Sequence, residues 1–409
     1  MQTLLANATL IDAVVPEPRS GHILVEDGVI RDLEAKPPAA PDAQTIDLRG
    51  RTVIPGLIDC HVHVMASMMN LAENAQLPAA TAVLRAVPIL EGMLARGFTT
   101  VRDAAGASFA LAQAIADGLV LGPRLFVCGK ALSKTGGHGD MRPRHDTCDA
   151  NRWAANAGAL NRIADGVEEV RRACRQEFRQ GASFIKIMGN GGVASPTDPV
   201  DWYGFTPDEI RAAVEEARDA HTYVAAHVYT AGGITRAVEC GVHSLEHCNR
   251  IDAAAARLAA QHGCVAVPTL VTYEALAQDG PSYGFPSSSI AKIEAVRTAG
   301  LASLTILRDA GVTMALGTDL LGPTHVRQSE EFAIRARVLT AREILASATT
   351  VGAKLVGMEG RIGVLAPGAL ADLLVVDGNP LDDITILANP AKNLHLVMKE
   401  GVIHHRRGL

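Results

Sequence analysis

The sequence is short of several features that would settle its class at once. It has no CxxC pair, and its seven cysteines (Cys60, Cys128, Cys148, Cys174, Cys240, Cys248 and Cys264) are an odd number. A disulfide framework or a structural zinc knuckle is therefore not expected. Excess charge of either sign is missing: 38 Lys and Arg stand against 44 Asp and Glu, a formal net of -6. Nothing electrostatic draws such a chain to nucleic acid or to an anionic membrane. No apolar run approaches the ~20 residues that span a bilayer. The first residues, MQTLLANATLIDAVVPEP, lack a basic n-region, a long apolar core and an obvious cleavage site, and read as a first strand. A soluble, cytoplasmic protein is the expectation. Aromatics are scarce at 4%, and Trp153, Trp202, Tyr203, Phe205, Tyr273 and Tyr283 all fall in or near loops.

What is present is apolar material in two rhythms. Over the first ~50 residues short strands alternate with turns, and VEDGVI carries an Asp-Gly pair suited to a type I′ hairpin. The same style returns near the C-terminus in GVLAPGALADLLVVDG and HLVMKEGVIHH. Residues 1–54 plus 358–409 are expected to build one small β-sandwich from both chain ends. Residues 55–357 repeat strand, loop and helix. Candidate strands are LIDCHVHV, FTTVRDA, RLFVCG, FIKIMG, YVAAHV, HSLEH, AVPTL and MALGTD. Eight such units over ~300 residues predict a (β/α)8 TIM barrel, an α/β fold. The rival, an open doubly wound sheet, would carry a Gly-rich phosphate turn after its first strand; DCHVHVMAS stands there instead. In TPDE, Thr206, Pro207 and Glu209 have the spacing of a helix N-terminus with a capping box. The polar loops from Ser133 to Ala157 and from Gly189 to Tyr203 are long for barrel connections, as active-site loops are.

Chemistry concentrates at the strand ends. His61 and His63 close the first strand as His-x-His, two residues apart and so on one face. Lys186 lies in the fourth strand; His227, His247 and Asp319 end the fifth, sixth and eighth. In a barrel those ends converge on one face. Any single histidine is more often structural, and His22, His262, His395, His404 and His405 are read that way. His221 ends a helix, and His243 is read as supporting or structural. Cys60 and Cys248 adjoin candidate ligands and are expected to be core thiols.

PGLIDCHVHV, a strand lysine, two strand histidines and the aspartate of GTD together resemble the binuclear metal-dependent amidohydrolase superfamily, across essentially the whole chain. Within it, LSKTGGHGD, IMGNGGVASPTDP and AAHVYT resemble the imidazolonepropionase-like branch, and most closely its prolidase and metallo-carboxypeptidase members, with ochratoxin-hydrolysing amidases nearby. The resemblance implies two divalent metal ions, most plausibly Zn2+ given the His-rich shell. His61 and His63 would hold the more buried ion with Asp319, and His227 and His247 the more exposed one. It also implies an N6-carboxylated Lys186, whose carbamate bridges both metals; the plainer alternative is an unmodified lysine paired with Asp319. Hydrolysis would use a metal-bridging hydroxide, with Asp319 as general base and then general acid.

His138 and Tyr229 are the candidates to bond the developing oxyanion or the substrate carbonyl. Alternatively, GGHGD is a tight turn and Tyr229 a packing residue at the rim. Val193 is placed at the substrate by its loop. Arg142 and Arg144 are candidates to capture a terminal carboxylate, although solvated surface charge explains such residues more often. Arg102 and Asp103 are candidate buttresses. The expected partner is a small-molecule or dipeptide substrate, cleaved at its amide with release of the C-terminal amino acid. The alternatives are a non-peptide amide (an ochratoxin-type N-acyl phenylalanine, a cyclic amide or a urea) and, from another class, a scaffold barrel without catalysis. A homo-oligomer is expected because barrels of this kind often associate.

Overall fold

A computed structural model describes residues 2–15, 17–283 and 287–409. Eight strands line the central barrel: β1 (Leu57–Val62), β2 (Phe98–Asp103), β3 (Arg124–Val127), β4 (Ile185–Met188), β5 (Val224–Thr230), β6 (Ser244–Arg250), β7 (Val265–Val267) and β8 (Thr313–Met314). Neighbouring strands pair in parallel within two sets, β1 to β3 and β4 to β8. Single backbone bonds join the sets into a ring. The Ser183 amide donates to the Val127 carbonyl at 2.7 Å, bringing β3 to β4. The Cys60 amide donates to the Leu316 carbonyl at 2.7 Å, returning the chain beyond β8 to β1. This is the expected TIM barrel. Its strands read as near-continuous apolar runs because both faces are buried, as parallel sheets require.

The sequence pattern also located the hairpin and the capped helix. Glu26 faces Val29 across the two-residue loop Asp27-Gly28, and both loop residues have positive φ, 49° and 84°. That is the type I′ geometry Asp-Gly favours. Helix Pro207–Asp219 has Thr206 as N-cap and a complete capping box with Glu209.

The two chain ends share one eight-stranded sheet, joined where Thr52–Pro55 pairs antiparallel with Leu373–Val376. The first strand, Gln2–Leu10, has two parallel partners. Residues 3–6 pair with 44–47, and residues 9–10 with 52–53. A register break between Leu5 and Ala8, with Asn7 at φ 56°, separates the two stretches. Leu5, Ile23, Val53, Leu373 and Leu396 form its buried core. Among the described residues no helix is long and apolar enough to cross a membrane.

The region after β3 is more ordered than the sequence suggested. Ala131–Ser133 and Asn161–Ile163 are two short paired strands, and the first also bonds to β4. The irregular loop thus runs between them, and Ser133, at the end of the first, is buried. Bonding to neighbouring β4, rather than any local alternation, makes three residues a strand here.

Candidate metal centre

All six strand-end candidates border one cavity of about 50 Å³: His61, His63, Lys186, His227, His247 and Asp319. His138, Tyr229 and Val193 border it too. A roomier cavity of about 830 Å³, lined by Phe109, Lys130, Arg162 and Glu177 among others, lies apart from all six. Size therefore does not locate the chemistry here; the convergence of donors does.

Backbone geometry aims the candidate ligands. His63 lies just beyond β1, and Asp319 five residues beyond the end of β8. The Thr318 and Asp319 amides both donate to the His61 carbonyl, at 3.2 and 2.8 Å. Asp319 and His247 have φ of 55° and 72°, the left-handed region that non-glycine residues seldom occupy. Such strain persists where the surroundings enforce it, and it gathers at functional sites.

Asp319 is the hub. Its Oδ1 lies 3.0 Å from His63 Nε2 and 3.5 Å from His61 Nε2, and its Oδ2 lies 3.8 Å from His247 Nδ1. Ligand atoms of His61, His247 and Asp319 lie within 4.8 Å of one another, close enough to share a cation. The His61 and His247 rings are 4.8 Å apart, and those of His227 and His247 4.5 Å.

Each imidazole is held from behind, as metal-binding histidines usually are. Glu246 accepts from His61 Nδ1 at 2.6 Å, leaving Nε2 towards the cavity. Glu246 in turn accepts from Arg102 at 2.8 and 2.9 Å, and Arg102 also donates to the Cys60 carbonyl at 2.6 Å. His63 Nδ1 donates to the Ala105 carbonyl at 3.3 Å. His227 Nε2 donates to the Gly191 carbonyl at 3.2 Å, leaving Nδ1 as its lone pair. His247 Nδ1 meets Thr269 Oγ1 at 2.8 Å. Asp103 does not touch the cavity; it accepts from the Val64, Ala105 and Ala107 amides and so fixes the turn carrying His63.

Electrostatics hold three of the four imidazoles neutral, as a bound cation requires. Burial, reinforced by neighbouring positive groups, holds His61, His227 and His247 well below the ordinary histidine pKa. Burial also lowers Lys186, against the pull of Glu246 and Asp319. Burial would lower His63 as well, but its bond to Asp319 and the negative charges of Asp319 and Asp103 together outweigh that and raise it. The donor set thus fits a divalent metal: imidazoles with lone pairs, a carboxylate, and an amine easier to deprotonate than usual.

Beside His227, Tyr273 donates its hydroxyl to the Tyr229 oxygen at 2.9 Å. Tyr229 consequently keeps its own proton to give. His138 stacks on His227 with 4.2 Å between centroids, and its Nδ1 meets Ser195 Oγ at 2.8 Å. Arg142 and Arg144 do not border the cavity. Arg142 is paired with Asp140, 2.7 Å at its closest, and donates to the Cys148 carbonyl; Arg144 is exposed and donates to the Thr197 carbonyl at 3.1 Å.

The Amidohydrolase family model matches residues 52–403. The chain belongs to the amidohydrolase family. Ochratoxinase of Aspergillus niger is 35% identical over 379 residues, covering 87% of this chain and 76% of the relative. A crystal structure of a prolidase complexed with N-methylphosphonate-L-proline is 50% identical, with TM-score 0.98 and full coverage of both chains. A Xaa-Pro dipeptidase with bound methionine in the active site is 31% identical, with TM-score 0.88, covering 99% of this amidohydrolase and 100% of that chain.

Three supporting side chains escaped the sequence reading: Glu246, Thr269 and Asp59. Asp59 accepts from the His61 amide, Thr318 and Gln328, pinning β1 to the segment that carries Asp319. Burial pushes its carboxyl up to about 6. A charged residue inside an apolar strand (Asp59 in LIDCHV, Glu246 in SLEH) was the available signal, since an unpartnered buried charge is too costly to keep.

Proposed function

We propose that this amidohydrolase is a metallopeptidase of the Xaa-Pro dipeptidase type, cleaving the amide of dipeptides or N-acyl amino acids and releasing the C-terminal residue. The observation that carries this reading is the full-length similarity, at 50% identity, to a prolidase crystallised with a phosphonate derivative of proline. His61, His63, His227, His247 and Asp319 would hold two divalent ions, zinc by preference for the imidazole-rich set. Such a pair supplies Lewis acidity and brings the pKa of a water towards neutrality. Lys186 would be carboxylated: only a neutral amine attacks CO2, and its burial favours that form. The carbamate converts an ill-suited cation into an anionic oxygen donor.

The chain's own groups then carry the proton and orient the amide. Asp319, on the cavity rim beside His63, takes the proton of the attacking water and returns it to the leaving nitrogen. Tyr229 donates its free O–H to the carbonyl oxygen as charge gathers there. His138 sits beside the same atoms and stabilises the same charge. The side chains of Leu71, Leu160, Leu276 and Leu321 enclose the reacting groups and exclude bulk water.

The similarity to ochratoxinase favours one second reading, an amidase for an N-acyl aromatic amino acid. A panel of Xaa-Pro dipeptides, N-acyl phenylalanines and uncharged cyclic amides, followed by mass spectrometry on the zinc-loaded protein, separates the two. Release of proline from Xaa-Pro at the highest kcat/KM is the expected outcome. Turnover of N-acyl phenylalanines alone would transfer the assignment, and inactivity on every substrate with a free carboxylate would refute the peptidase reading.

A further inference from the structure

Lys292 lies outside the donor set described above, on helix Ser287–Asp309. Its ammonium donates to three main-chain carbonyls of one loop: Gly192 at 3.1 Å, Ser195 at 3.0 Å and Asp198 at 2.8 Å. An ammonium has three N–H donors, and all three are used. The Asp198 carboxylate is buried close by and accepts from the Gly192 amide at 2.8 Å, which closes the loop on itself. A positive charge in a ring of carbonyl oxygens is how proteins hold a monovalent cation; here the cation is tethered to a helix.

This loop carries two of the contacts that set the centre. The Gly191 carbonyl accepts from His227 Nε2, and Ser195 Oγ meets His138 Nδ1. Gly192 is pressed so closely on His138 that a Cβ there would lie 2.0 Å from the ring carbon Cε1. Val193 borders the cavity. A shift of the loop by a fraction of an ångström must therefore move His138 or release it from Ser195.

We infer that Lys292 is a positioning residue: its ammonium clamps the Gly192–Asp198 loop by three carbonyls and, through Ser195, holds the His138 imidazole at the substrate. Lys292 itself touches neither the donors nor the reacting atoms. Its effect on turnover rests on the amide-hydrolase reading, whereas its effect on the loop does not.

The test uses the zinc-loaded full chain with Lys292→Ala. The side chain removed has the size and charge of propylammonium. We expect kcat to fall at least tenfold with zinc content unchanged. Propylammonium chloride should restore at least half of it, while 1-propanol and sodium chloride restore none. Hydrogen exchange at the Gly192 amide should quicken at least tenfold and slow again with propylammonium. Because part of the clamp acts through Ser195, Lys292→Ala placed on Ser195→Ala should lower kcat by a smaller factor than it does in the parent. Parent-like exchange in the loop would overturn the inference, as would a deficit that propylammonium and 1-propanol repair equally, or fully additive losses in the double variant. Should Lys292→Ala fail to fold, Lys292→Gln keeps the stem without the charge, and parent-like kcat and exchange there overturn the inference. Should the parent hydrolyse no amide, the exchange readout and its propylammonium response still decide the clamp.

Discussion

At Asp319 the left-handed backbone directs a carboxylate to three imidazoles at once. Asp319→Asn keeps the size and removes the proposed base. Turnover should fall by roughly 10²–10⁴-fold, the usual contribution of general acid–base catalysis. The circular dichroism spectrum should match the parent, which a stopped assay alone would not reveal. Glu246 acts at one remove, tying Arg102 to His61 inside the barrel. Glu246→Gln leaves a buried guanidinium unpaired, a change that costs about 3–5 kcal/mol, and it loosens the hold on the His61 ring. Zinc affinity, measured by competition with a chelating dye, should drop roughly 10–100-fold; an unchanged value would remove Glu246 from the account. Lys186→Ala should bind less metal and lose activity, and a short carboxylic acid standing in for the carbamate should restore part of it. Full activity without any added acid would exclude a bridging role. Strand position, and for His61 and His63 their two-residue spacing, made the candidate donors legible. The supports were not, because strand alternation assigns Glu246 and His247 to opposite faces, and only the positive φ at His247 lets both serve one site.

Elements were legible wherever local chemistry agrees with tertiary demand. Asp27-Gly28 and Thr206–Glu209 were read directly because a turn and a cap are decided within four residues. The short strands Ala131–Ser133 and Asn161–Ile163 were not, since only pairing with each other and with β4 defines them. The capping box also reaches outside its helix: Glu209 accepts from the Gly166 amide at 2.7 Å, at the start of helix Val167–Arg179. Thr206→Ala should cost about 1 kcal/mol, the typical worth of such a cap. It should move the urea midpoint without changing the slope, and leave turnover near that of the parent. A change of slope would mean the two helices part before the rest of the barrel unfolds.

Across the molecule, the two ends of the chain meet in one sheet while the barrel between them gathers donors separated by up to 258 residues, from His61 to Asp319. Five of the eight strands each contribute one or two of the six candidates, and closing the ring supplies the rest of the geometry. Metal uptake should therefore depend on pH. His63 is raised by Asp319, so its proton must leave before a cation can bind. Because that pKa is raised, affinity should begin to weaken as pH falls towards the ordinary histidine range from above, and strengthen as pH rises past it. His61, His227 and His247, held neutral by burial, add no such demand near neutrality. Isothermal titration in buffers of differing ionisation enthalpy counts the protons released, and proton uptake on binding would contradict this assignment.

Anomalous diffraction at the zinc edge, on crystals grown with zinc and bicarbonate, tests the central claim most directly. The account predicts two peaks ~3.5–4 Å apart, the spacing of two-metal hydrolytic centres, among His61, His63, His227, His247 and Asp319, with density for an added carboxyl group on Lys186. A single peak with an unmodified lysine, or no peak at the barrel mouth, would contradict it.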